Sequence, residues 1–362
     1  LTAYGCNFTK LWMMESTRDW SDASGQYYSP IPWTRTGPGN ANDGHLKLDL
    51  DIWNQDYFDR LRERAILCGR RGIYVCIQLF QGWQIDQKGL SVNVWPYHPF
   101  NSSNNINGVN GDDDADGDGT EVHTLSDATV TAYQEALVEK IIDTVNDLDN
   151  IIYEIVNEDT VASANTTWQA HFIDHAATYE TGKPKQHLIG MTKQWPGDEA
   201  TTDADMDASS ANWVSYSALK ANAVHAASDP VSMYDTDHTV GLTSDFEWIW
   251  TSLCEGHGGA WYMDEWDGAL YGSDRRNDAT YILIRDNLGY ALTQFNLLIN
   301  PLLMTPQGSL STTGYCLARD HATAGEYICF QDGTGAFDLN LTTATGTLNI
   351  RWLRCSDGTV NT

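Results

Sequence analysis

Two apolar patterns alternate along the chain. Segments with apolar residues at helical spacing give way, after a Gly or Asn stop, to short runs that are apolar at nearly every position. In "YFDRLRERAILCGRRGIYVCIQLFQGW" (57–83), Phe58, Leu61, Ala65 and Cys68 mark one helical face. Gly69 and Gly72 end that helix, and Ile73 to Phe80 make the strand that follows. In "ATVTAYQEALVEKIIDTVNDLDNIIYEIVNE" (128–158) the stripe is Val130, Tyr133, Leu137, Ile141 and Val145, and the strand is 151–158. Weaker strand signals occur in "KQHLIGMTKQW", "ANWVSYS", "DPVSMYDTDH" and "GGAWYMDEWD". The opening "AYGCNFTKLWMMES" reads as a helix end followed by a strand.

Helices alternating with non-alternating apolar strands predict a parallel sheet covered by helices, an α/β fold. Seven such strands can be counted in the sequence, whereas a (β/α)8 TIM barrel needs eight, so a first βα unit is expected upstream of Leu1. A doubly wound open sheet is the competitor, but no Gly-rich phosphate loop follows any strand. The barrel is therefore expected over 1–304. After Met304 the texture changes. "GYCLARD", "EYICFQDG", "GAFDLNLT" and "TLNIRWLRC" read as short strands between Gly, Asp and Asn turns, predicting a small antiparallel, β-sandwich-like domain over 305–362.

Composition narrows the partners. With 41% hydrophobic residues, 14 Trp and 17 Tyr, the chain can bury a sizeable core. A formal charge of −28 repels nucleic acid and anionic lipid, and no apolar run is long enough to span a membrane. Such a chain suits a secreted protein acting on neutral substrates, although "LTAYGCNFTK" carries no leader pattern. Of seven cysteines, Cys6 and Cys76 lie in apolar runs and read as buried thiols. Cys316, Cys329 and Cys355 fall in the tail, where the sequence leaves room for one disulfide without giving its pairing.

In a barrel, catalytic groups project from the C-terminal ends of the strands. That rule selects Trp12 and Glu15, Gln78 and Trp83, Asn157 and Glu158, Thr192 and Gln194, Asp235 to His238, and Asp264 to Trp266. Carboxylates facing each other across an aromatic-lined cleft are what glycosidic bond cleavage requires, one protonating the leaving oxygen while the other attacks or activates water. Trp12, Trp33, Trp83, Trp95, Trp195, Trp248, Trp250 and Trp266 are candidates to stack on sugar faces. Metal-dependent hydrolysis is set aside because no His pair at helical spacing accompanies these carboxylates.

"NIIYEIVNE" resembles the strand-four signature of clan A glycoside hydrolases, the family-5-like barrels in which an Asn–Glu pair carries the acid/base. "GCNFTKLWMMES", "RGIYVCIQLFQGW", "HPFN", "NNINGVNGD" and "DTDHTVG" are similar to a bacterial group of hydrolases that join such a barrel to a C-terminal β domain described as collagen-binding. The resemblance implies that Glu158 is the acid/base and that Asn157 holds the sugar 2-hydroxyl. It places the nucleophile at the end of "PVSMYDTDH", where the clan usually has Glu and this chain has Asp235, with Asp237 and Glu265 as the other candidates. The retaining mechanism asks for roughly 5–5.5 Å between the two carboxyls. Lys10 stands where the clan often has Arg.

Several residues carry two readings. His98 in "YHPFN" either hydrogen-bonds sugar or packs its loop; Glu154 is expected to be an ion-paired residue of the barrel floor; and of Trp248 and Trp250, one is expected on the cleft and one in the core. Gln78, Gln194, Trp195, His238 and Glu265 complete the expected substrate-binding set. In "GDDDADGDGTE", Asp112, Asp114, Asp116 and Asp118 resemble the first half of a calcium loop, with His123 at its twelfth position, where a Glu is the rule. No organic cofactor is expected. The resulting reading is a retaining β-glycoside hydrolase acting on a poly- or oligosaccharide. The alternative is a decayed barrel serving as a carbohydrate-binding or filament-forming protein, self-associating through its C-terminal β domain.

Overall fold

The computed structural model describes residues 1–18, 27–85, 92–159, 162–192, 203–216, 230–236, 245–264 and 276–362. The chain forms two compact units, Phe8–Val214 and Leu1–Asn7 together with Ser215–Thr362.

The unit Phe8–Val214 is built on parallel strands. β1 (Phe8–Trp12), β4 (Tyr74–Gln81), β5 (Ile151–Asn157), β6 (Ile189–Thr192) and β7 (Trp213–Ser215, its first two residues in this unit) lie side by side in chain order. β1 pairs with β4, β4 with β5 and β5 with β6 in parallel register, for example Lys10↔Cys76 and Gln78↔Glu154. Each new strand joins the same edge, so the order never reverses as it would in a doubly wound sheet. This is barrel winding. Helices α1 (Gln55–Gly69), α2 (Ala128–Val145) and α3 (Ala162–Glu180) fill the crossovers. Asp127 starts α2 by accepting hydrogen bonds from the Thr129 and Val130 N–H groups, donors with no partner inside the helix. The α2 stripe is buried as expected except at Tyr133, which sits at its edge and donates its hydroxyl to Asp51.

A β2 (Trp33–Asn40) and β3 (Leu46–Trp53) antiparallel hairpin precedes α1 and was not expected. Its signal was the alternation in "LKLDLDIW" behind an Asn-Asp-Gly turn, where Gly44 takes φ 82°. Trp33 and Trp95 are core residues rather than sugar platforms. Trp33 is fully buried, stacked 6.1 Å from Trp53 and edge-on to Phe100 at 5.5 Å, and Trp95 stacks on His98.

In the second unit, β8 (Val231–Asp235) pairs in parallel with β9 (Gly259–Trp261), the helix Glu247–Cys254 joining them. The helix Ala279–Phe295 follows, capped by the Asp278 carboxylate on the Thr280 N–H at 2.9 Å. Among the described residues, seven strands thus carry the parallel βα pattern, and the fold is of (β/α)8 barrel type followed by small antiparallel sheets.

Those sheets are β10 (Thr305–Pro306), β11 (Cys316–Arg319) and β12 (Glu326–Cys329) in one, and β13 (Trp352–Leu353) with β14 (Val360–Asn361) in the other. "GAFDLNLT" forms no strand, only a Ser311↔Leu339 bridge, and "TLNIRWLRC" contributes just two strand residues. The expected boundary near Met304 is crossed by a shared core. Phe330 of the tail packs in one cluster with Trp248, Trp250, Tyr281 and Ile284, stacking 6.3 Å from Trp250. Among the described residues no helix is long and apolar enough to cross a membrane.

Candidate functional site

The site is built at the end of β5. Ile151, Ile152, Tyr153, Ile155 and Val156 are all buried, as a strand covered on both faces requires. Glu154, fully buried among them, is paired with Lys10 at 3.1 Å and accepts a hydrogen bond from Thr192 Oγ1. Glu154 is thus the ion-paired residue expected, and Lys10 is engaged inside the sheet.

The next three residues are each held from a different direction. Asn157, 2% exposed, donates Nδ2 to Gln81 Oε1 at 3.0 Å and accepts from Gln78 Nε2 at 3.3 Å. Glu158, 7% exposed, accepts a hydrogen bond from the Trp83 indole N–H. Asp159 accepts from His123 Nδ1 at 2.6 Å, with both side chains fully buried. The strand stops here because Glu158 adopts φ 43°, a left-handed conformation that side-chain-bearing residues rarely hold. Its backbone is clamped as well. A Cβ placed on Gly82 would lie 2.2 Å from the Glu158 carbonyl oxygen, so only glycine allows this approach.

Beside this turn lies a second buried acid–histidine contact, Glu15 Oε2 to His98 Nε2 at 3.6 Å. His98 Nδ1 accepts the Phe100 N–H at 3.1 Å, so the neutral ring carries its proton on Nε2, facing Glu15. Burial, with a smaller push from His123, pulls His98 down to about 3. Burial, aided by the charge of Asp159, raises Glu15 well above the usual carboxylate range. Both shifts favour the uncharged form of the group, which weakens any ion-pair character in their contact. The Glu15 and Ser16 N–H groups both donate to Gln84 Oε1, which fixes the chain leaving β1. His98 takes the loop-packing reading, fully buried between Trp95 and Phe100.

Trp12 ends β1 half-buried, in register with Gln78, and Trp83 is also half-buried. Gln78 is fully buried. Among the described residues, Gln78 Oε1 and Gln81 Nε2 meet no hydrogen-bond partner. Gln81, Gln84, Asp159 and His123 were missed as site residues. The readable signal was the polar run Asn157-Glu158-Asp159 closing an apolar strand, which says that partners exist but not which ones.

In the second unit, Asp235 closes β8 at 3% exposure. Tyr234 packs against the helix Glu247–Cys254, so strand alternation puts Asp235 on the opposite face. Trp248 and Trp250 are both core residues, which corrects the expectation of one at a cleft. Trp248 stacks on Tyr234 at 5.5 Å and Tyr262 at 5.9 Å, and Trp250 donates Nε1 to Asn287. Asp264 is gripped by Arg285 through two hydrogen bonds of 2.8 and 2.7 Å. Asp237, His238, Gln194, Trp195, Glu265 and Trp266 lie outside the described residues.

The acidic loop differs from its expected form. Asp112 and Asp114 come together with Glu121, their ligand oxygens within 4.8 Å of one another, an acceptor-only set suited to a hard divalent cation. Asp116 and Asp118 are outside that group and accept the N–H groups of Asp118 and Thr120 instead. His123, the expected twelfth loop position, binds Asp159. A His pair at helical spacing does exist, His171 and His175 of α3, but it is engaged by Glu135 and Glu139 of α2 in the helix layer.

No protein-family model and no curated protein matches the chain. Solved structures do. A glycoside hydrolase family 5 protein from Bacteroides vulgatus ATCC 8482 matches at 12% identity and TM-score 0.48, over 94% of this chain and 82% of that one. An endo-β-1,4-mannanase from Thermotoga petrophila matches at 11% identity and TM-score 0.48, over 82% and 71%. Against endo-glycoceramidase II from Rhodococcus sp., at 13% identity and TM-score 0.33, the match covers 64% of this chain and only 48% of that protein.

Proposed function

We propose that the chain is a secreted retaining β-glycoside hydrolase acting on a poly- or oligosaccharide, with Glu158 as acid/base. The supporting observation is the left-handed Glu158 at the C-terminal end of a parallel strand, its carboxylate held by Trp83 and its backbone clamped against Gly82. Residues held in strained backbone cluster at active sites, and the C-terminal ends of barrel strands are where catalytic groups sit. The free ends of Gln78 and Gln81 add an acceptor and a donor suited to sugar hydroxyls.

In this reading Glu158 protonates the glycosidic oxygen as a second carboxylate, Asp235 or Asp237, attacks the anomeric carbon. Glu158 then takes a proton from the water that hydrolyses the glycosyl-enzyme. Asn157, oriented by Gln78 and Gln81, holds the sugar 2-hydroxyl.

The test is Glu158→Gln assayed on a panel of polysaccharides and aryl β-glycosides. Turnover of natural glycans should fall at least 100-fold with sugar binding kept, since general acid catalysis contributes about 10²–10⁴-fold. Substrates whose leaving group needs no protonation should lose far less at the first step. Wild-type rates in the variant would refute the assignment, and sugar binding without turnover in the wild type would favour a carbohydrate-binding protein. For calcium, the proposal is confined to Asp112, Asp114 and Glu121. A melting temperature raised by calcium and lowered by chelator supports it, and no response removes it.

A further inference from the structure

The tail holds a cysteine pair that the sequence could not resolve. Cys316 on β11 and Cys329 on β12 are direct register partners in an antiparallel ladder. The Phe330 N–H donates to the Tyr315 carbonyl at 3.2 Å, one residue outside the pair. That pattern makes Cys316 and Cys329 a non-hydrogen-bonded pair, the closer of the two kinds, with Cα atoms about 4.5 Å apart in regular sheets. Disulfides form across roughly 4.4–6.8 Å, so no backbone movement is needed. The sulfurs are already in contact at 3.4 Å as free thiols.

The neighbouring thiols are placed differently. Cys254 is buried and donates its thiol to the Ile328 carbonyl at 3.9 Å. Cys355 lies beyond β13, outside this ladder. No third ligand makes a metal cluster with Cys316 and Cys329 among the described residues.

We infer that Cys316 and Cys329 are a disulfide-forming site, closed by a low-molecular-weight disulfide such as oxidised glutathione, which cross-links β11 to β12 next to the core that Phe330 shares with Trp250. Cys329 is the entry point, being half-buried where Cys316 is 1% exposed. Its thiol is held below the ordinary range by the hydrogen bond with Cys316, which favours the thiolate. The Cys329 thiolate attacks one sulfur of the oxidant and releases one thiolate, leaving a mixed disulfide. Cys316, deprotonated, then attacks the Cys329 sulfur and expels the second thiolate. Two protein thiols are oxidised, one disulfide is reduced to two thiols, and the two protons leave with them. The closed bond fixes Phe330, the next residue, in the cluster with Trp250 and Tyr315.

The test uses the full chain incubated with oxidised glutathione, then unfolded in denaturant, alkylated and digested. Mass spectrometry should find a linked peptide joining Cys316 to Cys329, with five of the seven cysteines still alkylatable. The oxidised protein should melt a few degrees higher than the reduced one, because cross-linking restricts the unfolded chain. Cys329→Ser should abolish that oxidant-dependent rise. Cys316→Ser should trap a glutathione adduct on Cys329, and if it fails to fold, the Cys329→Ser melting comparison still decides. Seven alkylatable thiols under excess oxidant, or a link from Cys329 to Cys254 or Cys355, would overturn the inference. None of these readings depends on the proposed hydrolase activity.

Discussion

Asp159 and His123 meet at 2.6 Å with neither side chain exposed, and this contact fixes the turn that presents Glu158. His123 in turn stacks on Trp168 at 4.4 Å, tying the turn to α3. The residue after the candidate acid is therefore an anchor, not a second catalytic carboxylate.

Breaking that anchor should be expensive. Asp159→Ala leaves a buried imidazole nitrogen without its acceptor, and losses of about 1–3 kcal/mol are usual for one unsatisfied buried group. Urea unfolding should show a lower midpoint with an unchanged slope. Replacing both residues with apolar groups should cost less than the sum of the single changes.

The Lys10–Glu154 pair gives a sharper version of the same argument. Lys10→Met strands a fully buried carboxylate, and breaking a buried pair typically costs about 3–5 kcal/mol. Adding Glu154→Gln removes the charge and should recover a large share of the loss. If the double variant is no more stable than Lys10→Met alone, the Lys10–Glu154 pairing is not what the single change disrupts.

Glu15 and His98 predict opposite pH responses. The folded His98 titrates near 3, below its unfolded value, so between 6.5 and 3 the unfolded chain binds a proton that the folded chain refuses. Its contribution is complete above 6.5 and is lost as pH falls. Glu15 is raised, so its contribution is complete below about 4.5 and is lost as pH rises through its folded value. Thermal melts should show His98→Gln flattening the decline between pH 6.5 and 4. Glu15→Gln should stabilise the protein at pH 8 relative to wild type.

Gly82→Ala tests the clamp on Glu158. The added methyl would have to displace the Glu158 carbonyl, and overpacking of this kind costs about 1–3 kcal/mol. Any glycosidase activity should fall further than the stability loss explains, since Glu158 moves with its backbone. Full activity with a normal melting temperature would show that the turn can relax.

The sequence alone determined the winding and its strands. Apolar runs of the right length between amphipathic segments, as at 74–81 and 151–157, can satisfy their backbone and bury both faces only in a parallel helix-covered sheet. It also pointed to the end of β5, because an Asn-Glu-Asp run is not what a merely terminating strand needs. Only the tertiary structure decided what each polar residue does. His123 was legible as a loop residue and Cys329 as one of three tail thiols, but their partners, Asp159 and Cys316, are set by register and by contacts between separate elements. Trp33, Trp95, Trp248 and Trp250 were indistinguishable from cleft residues for the same reason. A ring that stacks on sugar and one that stacks on another ring have the same local pattern, and only the packing around them separates the two.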